Sequence, residues 1–179
     1  MATARPDDDK FRELILYIAT RCEEDPYFGK TKLNKILFYA DFTAYGELGA
    51  PITGQEYMRL DHGPGPRRMK PMLDRMLEQH DVSVQHEAKA SFRQERVVAG
   101  RRPDLTLFSE PQLAIVNRVI RALWGRTNSR VSEISHANLG WKLTRDKETI
   151  PYETVFLSDR PLTDEEIEHG HRLATELGL

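Results

Sequence analysis

One cysteine, Cys22, stands in 179 residues. No internal disulfide can form and no cysteine cluster exists for zinc or an iron–sulfur centre. On an apolar helical stripe this thiol is expected to be a packing group rather than a nucleophile. No apolar run approaches the roughly 20 residues that a bilayer span needs, and the opening MATARPDDDK lacks the apolar stretch of a secretory signal. No membrane role and a cytoplasmic location are therefore expected. Neither charge is in surplus: 26 Lys and Arg face 28 Asp and Glu, giving a net charge of -2 and a pI of about 6.3. Such a balance supplies no global attraction to nucleic acid or anionic lipid, so any basic patch must be local. Gly-x-Ser-x-Gly and His-Glu-x-x-His are also missing, which removes the most recognisable hydrolase and zinc-protease signatures.

What is present is a chain 39% apolar and 30% charged, long enough for one hydrophobic core and short for two. One domain over 1–179 is expected. Asp7, Asp8 and Asp9 precede a stripe of Phe11, Leu14, Ile15, Ile18, Ala19 and Cys22, and this predicts a capped helix. Pro26 and Gly29 break it. Thr31 is the expected cap of a second helix, in which Leu33, Ile36, Leu37, Ala40 and Ala44 recur up to Gly46; Phe38, Phe42 and Tyr45 add a further apolar face, so burial on most sides is predicted. ITGQEYMRL is expected to be extended. Met69, Met72, Leu73, Met76 and Leu77 predict a third helix, with Pro71 tolerable only in its first turn.

VSVQHEAKASFRQERVVAG reads as two short strands around a polar connection. Ser109 and Gln112 form a candidate capping box for a helix through Leu123 and Trp124, closed by Gly125, and Asn128 or Ser129 starts a shorter one through Ile134 and His136. LTRDKETIPYETVFLSDRP has no sustained period and is expected to be an ordered connection packed by Trp141, Tyr152 and Phe156. Thr163 and Glu166 form a second capping box, for a final helix with Ile167, Ala174 and Leu177 on one face. The fold class is α+β, predominantly helical, with a small hairpin.

The stretch RLDHGPGPRRMK, Arg59 to Lys70, invites a phosphate-cradle reading because glycines let backbone N–H groups approach an anion. Pro64 and Pro66, however, remove N–H donors, and the terminal Gly-Lys-Ser/Thr is absent. No metal site is expected: His169 and His171 point about 200° apart on a helix, and His80 and His86 flank a strand. Asp61 beside His62 is a weaker candidate for acid–base chemistry, with a turn-stabilising pair the plainer account. A winged-helix-like DNA-binding regulator is a rival reading, since Arg67, Arg68, Lys70 and Arg75 lie near the third helix and Arg93 and Arg96 on the hairpin. Some 20 residues separate helices two and three, against the few of a helix-turn-helix. Lys32, Lys35 and Tyr39, at i, i+3 and i+7, share a helix face that is either solvated or borders a partner surface anchored by Tyr39.

Three segments in order resemble one known family. KTKLNKILFYADFTAYGE, Lys30 to Glu47, resembles the signature helix of the SocA-like Panacea antitoxin domain; YMRLDHGPGPRRM resembles its Gly-Pro turn; VSEISHANLGWK resembles its Ser/Thr-His segment followed by Trp. Phe38-Tyr39 in place of a Tyr pair, Asp41 after the alanine, and Leu139-Gly140 before Trp141 mark a divergent branch. The resemblance is strongest over 10–145, leaving 146–179 as a C-terminal extension expected to pack on the same core. It implies an antitoxin that binds a cognate toxin protein, or, in the SocA manner, delivers it to a AAA+ protease, with no catalytic residues, metal or cofactor. The expected partner-binding residues are Lys32, Lys35, Tyr39, His62, Gly63, Pro64, Arg67, His136 and Trp141. For His136 and Trp141 the alternative is structural: a histidine hydrogen-bonded behind a buried indole.

Overall fold

The computed structural model describes residues 5–89, 92–161 and 163–178. Among these, seven α-helices and two antiparallel two-stranded sheets make an α+β fold that is mainly helical. Helix α1 (Asp8–Arg21) starts where the aspartates require: the Asp7 carboxylate accepts from the Lys10 amide at 2.9 Å, and Asp8 and Asp9 occupy the positive end of the helix dipole. Its predicted stripe is buried. Cys22 lies in that core, and burial pushes its thiol up to about 12, as suits a packing group.

Helix α2 (Lys30–Leu48) is the centre of the molecule and packs against α1, α4 (Glu110–Leu123), α5 (Asn128–His136) and both sheets. Leu33, Ile36, Leu37, Phe38 and Ala40 are fully buried, in line with the near-continuous apolar surface of the sequence. Two expected boundaries are corrected. Gly29, extended at φ -141° and ψ 178°, is the N-cap, so Thr31 already lies in the first turn and caps nothing. At the other end the helix runs past Gly46 and stops at Gly49, whose φ of +77° gives the left-handed ending that glycine adopts at little cost.

Of the segment expected to be extended, only β1 (Tyr57–Met58) is a strand. It pairs with β2 (Gly65–Pro66), Tyr57 opposite Pro66, so the Gly-Pro stretch is the return arm of a tight hairpin. Helix α3 (Met69–Glu78) follows with Pro71 in its first turn, as it must be. Strands β3 (Val82–Lys89) and β4 (Phe92–Ala99) form the predicted hairpin, Val84 opposite Val97; its connection at 90–91 lies outside the described residues. Charge fastens this hairpin to the helices. Arg101 reaches both Glu13 of α1 (2.6 Å) and Asp81 (2.5 Å), and Arg96 donates to the Asp25 carbonyl (2.9 Å) and to Glu87 (2.8 Å). The guanidinium of Arg101 holds the Glu13 carboxyl below its ordinary range.

Both expected capping boxes are present, at α4 and at α7 (Asp164–Leu177). A short α6 (Leu139–Leu143) leads into the connection before α7, which contains a 3-10 segment, Tyr152–Phe156, that its aperiodic sequence did not announce. Ile150, Tyr152 and Val155 pack on the core. Phe156 does not: it is 66% exposed, with its ring 6.0 Å from that of Tyr45. Along α7, Ile167 is exposed and Ala174 half-buried; the side chain of Leu177 lies outside the described residues. No described helix is long and apolar enough to cross a membrane.

Candidate functional site

Three charged residues of α2 are buried, and each is satisfied differently. The Lys32 ammonium lies 2.6 Å from the Asp25 carboxylate, sealed from solvent; burial lowers its pKa and the ion pair partly restores it. Asp41 accepts from the Thr53 amide (2.7 Å), the Tyr57 hydroxyl (2.7 Å) and the Thr53 hydroxyl. Burial raises its pKa against those donors, and the cluster ties the 52–57 segment to α2. Lys35 is the outlier. It is 2% exposed, pairs with no carboxylate among the described residues, and donates to one described acceptor, the Pro64 carbonyl at 2.9 Å. Burial alone brings its pKa down to about 7.

The strip Lys32, Lys35 and Tyr39 is therefore not a solvated face, which corrects one of its two expected readings. A strip that spaces polar residues at i, i+3 and i+7 can still be covered when short neighbouring segments supply the partners: Asp25 for Lys32, Pro64 for Lys35, and the Ile134 carbonyl for the Tyr39 hydroxyl at 3.3 Å. Burial also pushes the Tyr39 hydroxyl up to about 12.

Gly63 makes the cover over Lys35 possible. Its φ is +93°, and a Cβ there would sit 2.1 Å from Ser135 Oγ and 2.7 Å from Lys35 Cε. Any side chain would be both strained and overlapping. Because glycine allows this approach, the turn closes with Gly63 N–H donating to the Leu60 carbonyl at 2.9 Å and presents the Pro64 carbonyl to Lys35.

Behind the turn stands a stack. The Arg59 guanidinium lies 4.2 Å from the Trp141 ring, and the His136 ring lies 4.2 Å from the indole on a nearly parallel plane. Trp141 Nε1 donates to the Leu60 carbonyl (3.2 Å), and Arg59 donates to the Thr144 carbonyl (2.7 Å). The structural alternative for His136 was a hydrogen bond behind the indole; the ring stacks on it, and its buried Nε2 has no hydrogen-bond partner among the described residues. The stack buttresses the turn from outside, so His136 and Trp141 support the site rather than line it.

Between the start of α2, this turn, the distal half of β3–β4 and the first residue of α5 opens a cavity of about 870 Å³. Of the expected partner-binding residues, Lys35, His62 and Gly63 line it, with Pro64 bonded to Lys35 at its margin. Lys32 and Tyr39 face other neighbours, and Arg67 is bound to Glu56 (2.9 Å) and Thr149 (3.0 Å). Sequence reasoning missed the polar groups that matter most here. Asn34, Gln94 and Asn128 line the cavity, and Asn34 Oδ1, Gln94 Oε1 and Asn128 Oδ1 are buried without a hydrogen-bond partner among the described residues. Gln94 is only 5% exposed, and its Nε2 donates to the Pro26 carbonyl (3.2 Å) and Glu87 (2.6 Å), which leaves Oε1 as an unmet acceptor. Asn34 sits inside the signature helix segment, but nothing in its type separates it there from a solvated residue.

The competing chemistries fare less well. Asp61 and His62 are exposed and no described hydrogen bond joins them. No group of three or more described His, Cys, Asp or Glu side chains could hold a metal ion. Around α3, Arg67, Arg68 and Lys70 pair with Glu56, Asp8 and Asp74, and Arg96 is buried. A duplex would have to displace these carboxylates before counterion release could favour binding.

The family model described as antitoxin SocA-like, Panacea domain, matches residues 33–142, from the first turns of α2 through the turn, the hairpin and α5 to Trp141. No curated protein and no solved structure matches the chain. With more than half of its length in that match, the chain belongs to the SocA-like Panacea antitoxin family.

Proposed function

We propose that this protein is the antitoxin of a toxin–antitoxin pair, acting in the cytoplasm by binding its cognate toxin directly and without a catalytic step. The observation that carries this reading is the state of the polar groups within the family-matched span. Asn34, Gln94 and Asn128 line the cavity beside α2, and their carboxamide oxygens are sealed from solvent without a described partner. Where acid–base chemistry would need free charged groups, Lys32 and Asp41 are sealed in bonds of their own. Buried polar atoms are rarely left unpaired in a protein that has no use for them. A frame in the antitoxin family whose charged groups are engaged internally suits a binding protein better than an enzyme.

The test is co-expression with each neighbouring open reading frame. Growth arrest by one neighbour, relieved by this chain together with co-purification of the two proteins, is the expected outcome. Arrest by neither neighbour would overturn the proposal. The toxin level separates the two routes of neutralisation: under direct occlusion it stays constant, and under delivery to a AAA+ protease it falls in a protease-dependent way.

A further inference from the structure

Helix α7 is complete at both ends and bare along its sides. A capping box starts it at Thr163 and Glu166, and Gly178, at φ +70°, ends it. Between them all but one of the described side chains are exposed, Ile167 and Leu173 included. These two, with Gly170 and Ala174, fall within about 120° of one another around the axis at 3.6 residues per turn, which is the width of an apolar stripe. The rest of the helix is acidic: Asp164, Glu165, Glu166, Glu168 and Glu176 stand against Arg172, five charges against one. Fourteen residues with a glycine near the middle make a marginal helix in water. α7 is thus a formed helix that lacks its packing surface.

The same chain carries an exposed surface of the opposite charge. From Pro111 to Ser132 it has four arginines and no Asp or Glu. Arg118 and Arg121 are exposed on α4, Trp124, 44% exposed, closes that helix, and Arg126 follows it. Among the described residues no carboxylate pairs with Arg121 or Arg126, and Arg118 bonds the exposed Glu47, a surface pair of the kind that adds little stability.

From this we infer that α7 of one copy lies across the arginine face of α4 in a second copy, its apolar stripe on Trp124 and its acidic flank on Arg118 and Arg121, and that the second copy returns the same contact. Charge and shape of surface both match: a nucleic-acid backbone would suit the arginines but leave Ile167 and Leu173 bare, whereas α7 brings an apolar stripe to Trp124 together with its carboxylates. Position agrees. The 3-10 segment before α7 packs on the C-terminal end of α2, Phe156 by Tyr45, and Glu47 at that same end holds Arg118. Root of the arm and receiving face therefore share one end of the molecule. A two-fold axis there lets each helix, about 21 Å long at 1.5 Å per residue, cross to the other copy and closes the pair. Two single-helix arms make a small interface of the weak class, so the pair forms only at high protein concentration.

The experiment is sedimentation equilibrium of the full chain at about 5 and about 500 µM, a range over which mass action separates a monomer from a weak pair. The expected mass is 20.7 kDa at the lower concentration and approaches twice that at the upper. Salt at about 1 M, which cuts the screening length from about 10 to about 3 Å, should weaken the pair about ten-fold. Arg121→Glu and Glu168→Arg should each weaken it as much, and an equimolar mixture of the two variants should restore it, since each arm then meets its opposite charge. Both residues are exposed, and restoration needs two folded chains, so a folding defect cannot imitate the result. A chain that stays monomeric at about 500 µM, a pair that survives deletion of residues 158–179, or a mixture that fails to restore association overturns the inference. A short DNA duplex bound by a monomeric chain and lost in Arg121→Glu would instead give the arginine face to nucleic acid.

Discussion

Replacing Lys35 by Met keeps a chain of similar length beneath the Gly63–Pro64 turn and removes the amine. In the folded protein burial lowers the Lys35 pKa from 10.5 to about 7. A shift of that size amounts to about 5 kcal/mol of preference for the neutral amine, at about 1.4 kcal/mol for each pH unit. The sign follows from proton counting. The unfolded chain keeps the Lys35 proton up to about 10.5, whereas the folded protein gives it up above about 7. Between these values the unfolded state binds more protons, and stability rises with pH. Full stability is present above 10.5 and is lost as pH falls to 7. In Lys35→Met this contribution is absent, while the Pro64 carbonyl loses its donor at a cost of about 1–3 kcal/mol. Urea unfolding of both proteins at pH 7.5, 8.5 and 9.5 checks the argument. The wild type should gain on the variant by about 1.4 kcal/mol per pH unit. Titration of Cys22, Lys32 and the tyrosines is common to both and cancels in the difference. A difference that stays flat across this window refutes the claim that Lys35 is an uncompensated buried amine.

Three further outcomes follow from the packing. Gly63→Ala forces a side chain at φ +93° into Ser135 and Lys35; the expected loss is about 3 kcal/mol by urea unfolding, from strain and overlap together. Asp25→Asn leaves the fully buried Lys32 ammonium without its counter-charge and should cost about 3–5 kcal/mol, read from the denaturation midpoint at pH 7. Deleting residues 158–179 removes α7, in which all but one of the described side chains are exposed; the shortened chain should unfold within about 1 kcal/mol of the intact one, and a larger loss would show that α7 is held to the core.

The legible part of the fold is the part fixed by local chemistry. Asp7, Ser109 and Thr163 cap helices because a short oxygen-bearing side chain can reach the amide three residues on, whatever surrounds it. The stripes of α1 and α4 announce themselves through period alone. What was not legible depends on partners distant in sequence. Nothing local distinguishes Thr31, inside the first turn, from a cap, because the true cap is a glycine chosen for its close approach to β4: a Cβ on Gly29 would lie 3.3 Å from that of Gln94. Likewise a lysine at i+3 from another lysine reads as a wet face unless the carbonyl of Pro64, 29 residues on, is known to cover it.

The same distinction explains why the site was half visible. The stretch from Asp61 to Pro66 could be read as architectural because its two prolines fix φ and its two glycines admit turn conformations closed to other residues, regardless of context. That reading holds: the turn is a lid over Lys35, and Gly63 is the residue that lets it close. The carboxamides of Asn34, Gln94 and Asn128 carry no comparable mark. In sequence each is an ordinary polar residue on a helix or strand, and only the folded chain shows that all three line one cavity with their oxygens buried and without a described partner. Unmet capacity of this kind is a property of an arrangement rather than of a residue. It is also costly to keep, since a buried polar atom without a partner forfeits about 1–3 kcal/mol.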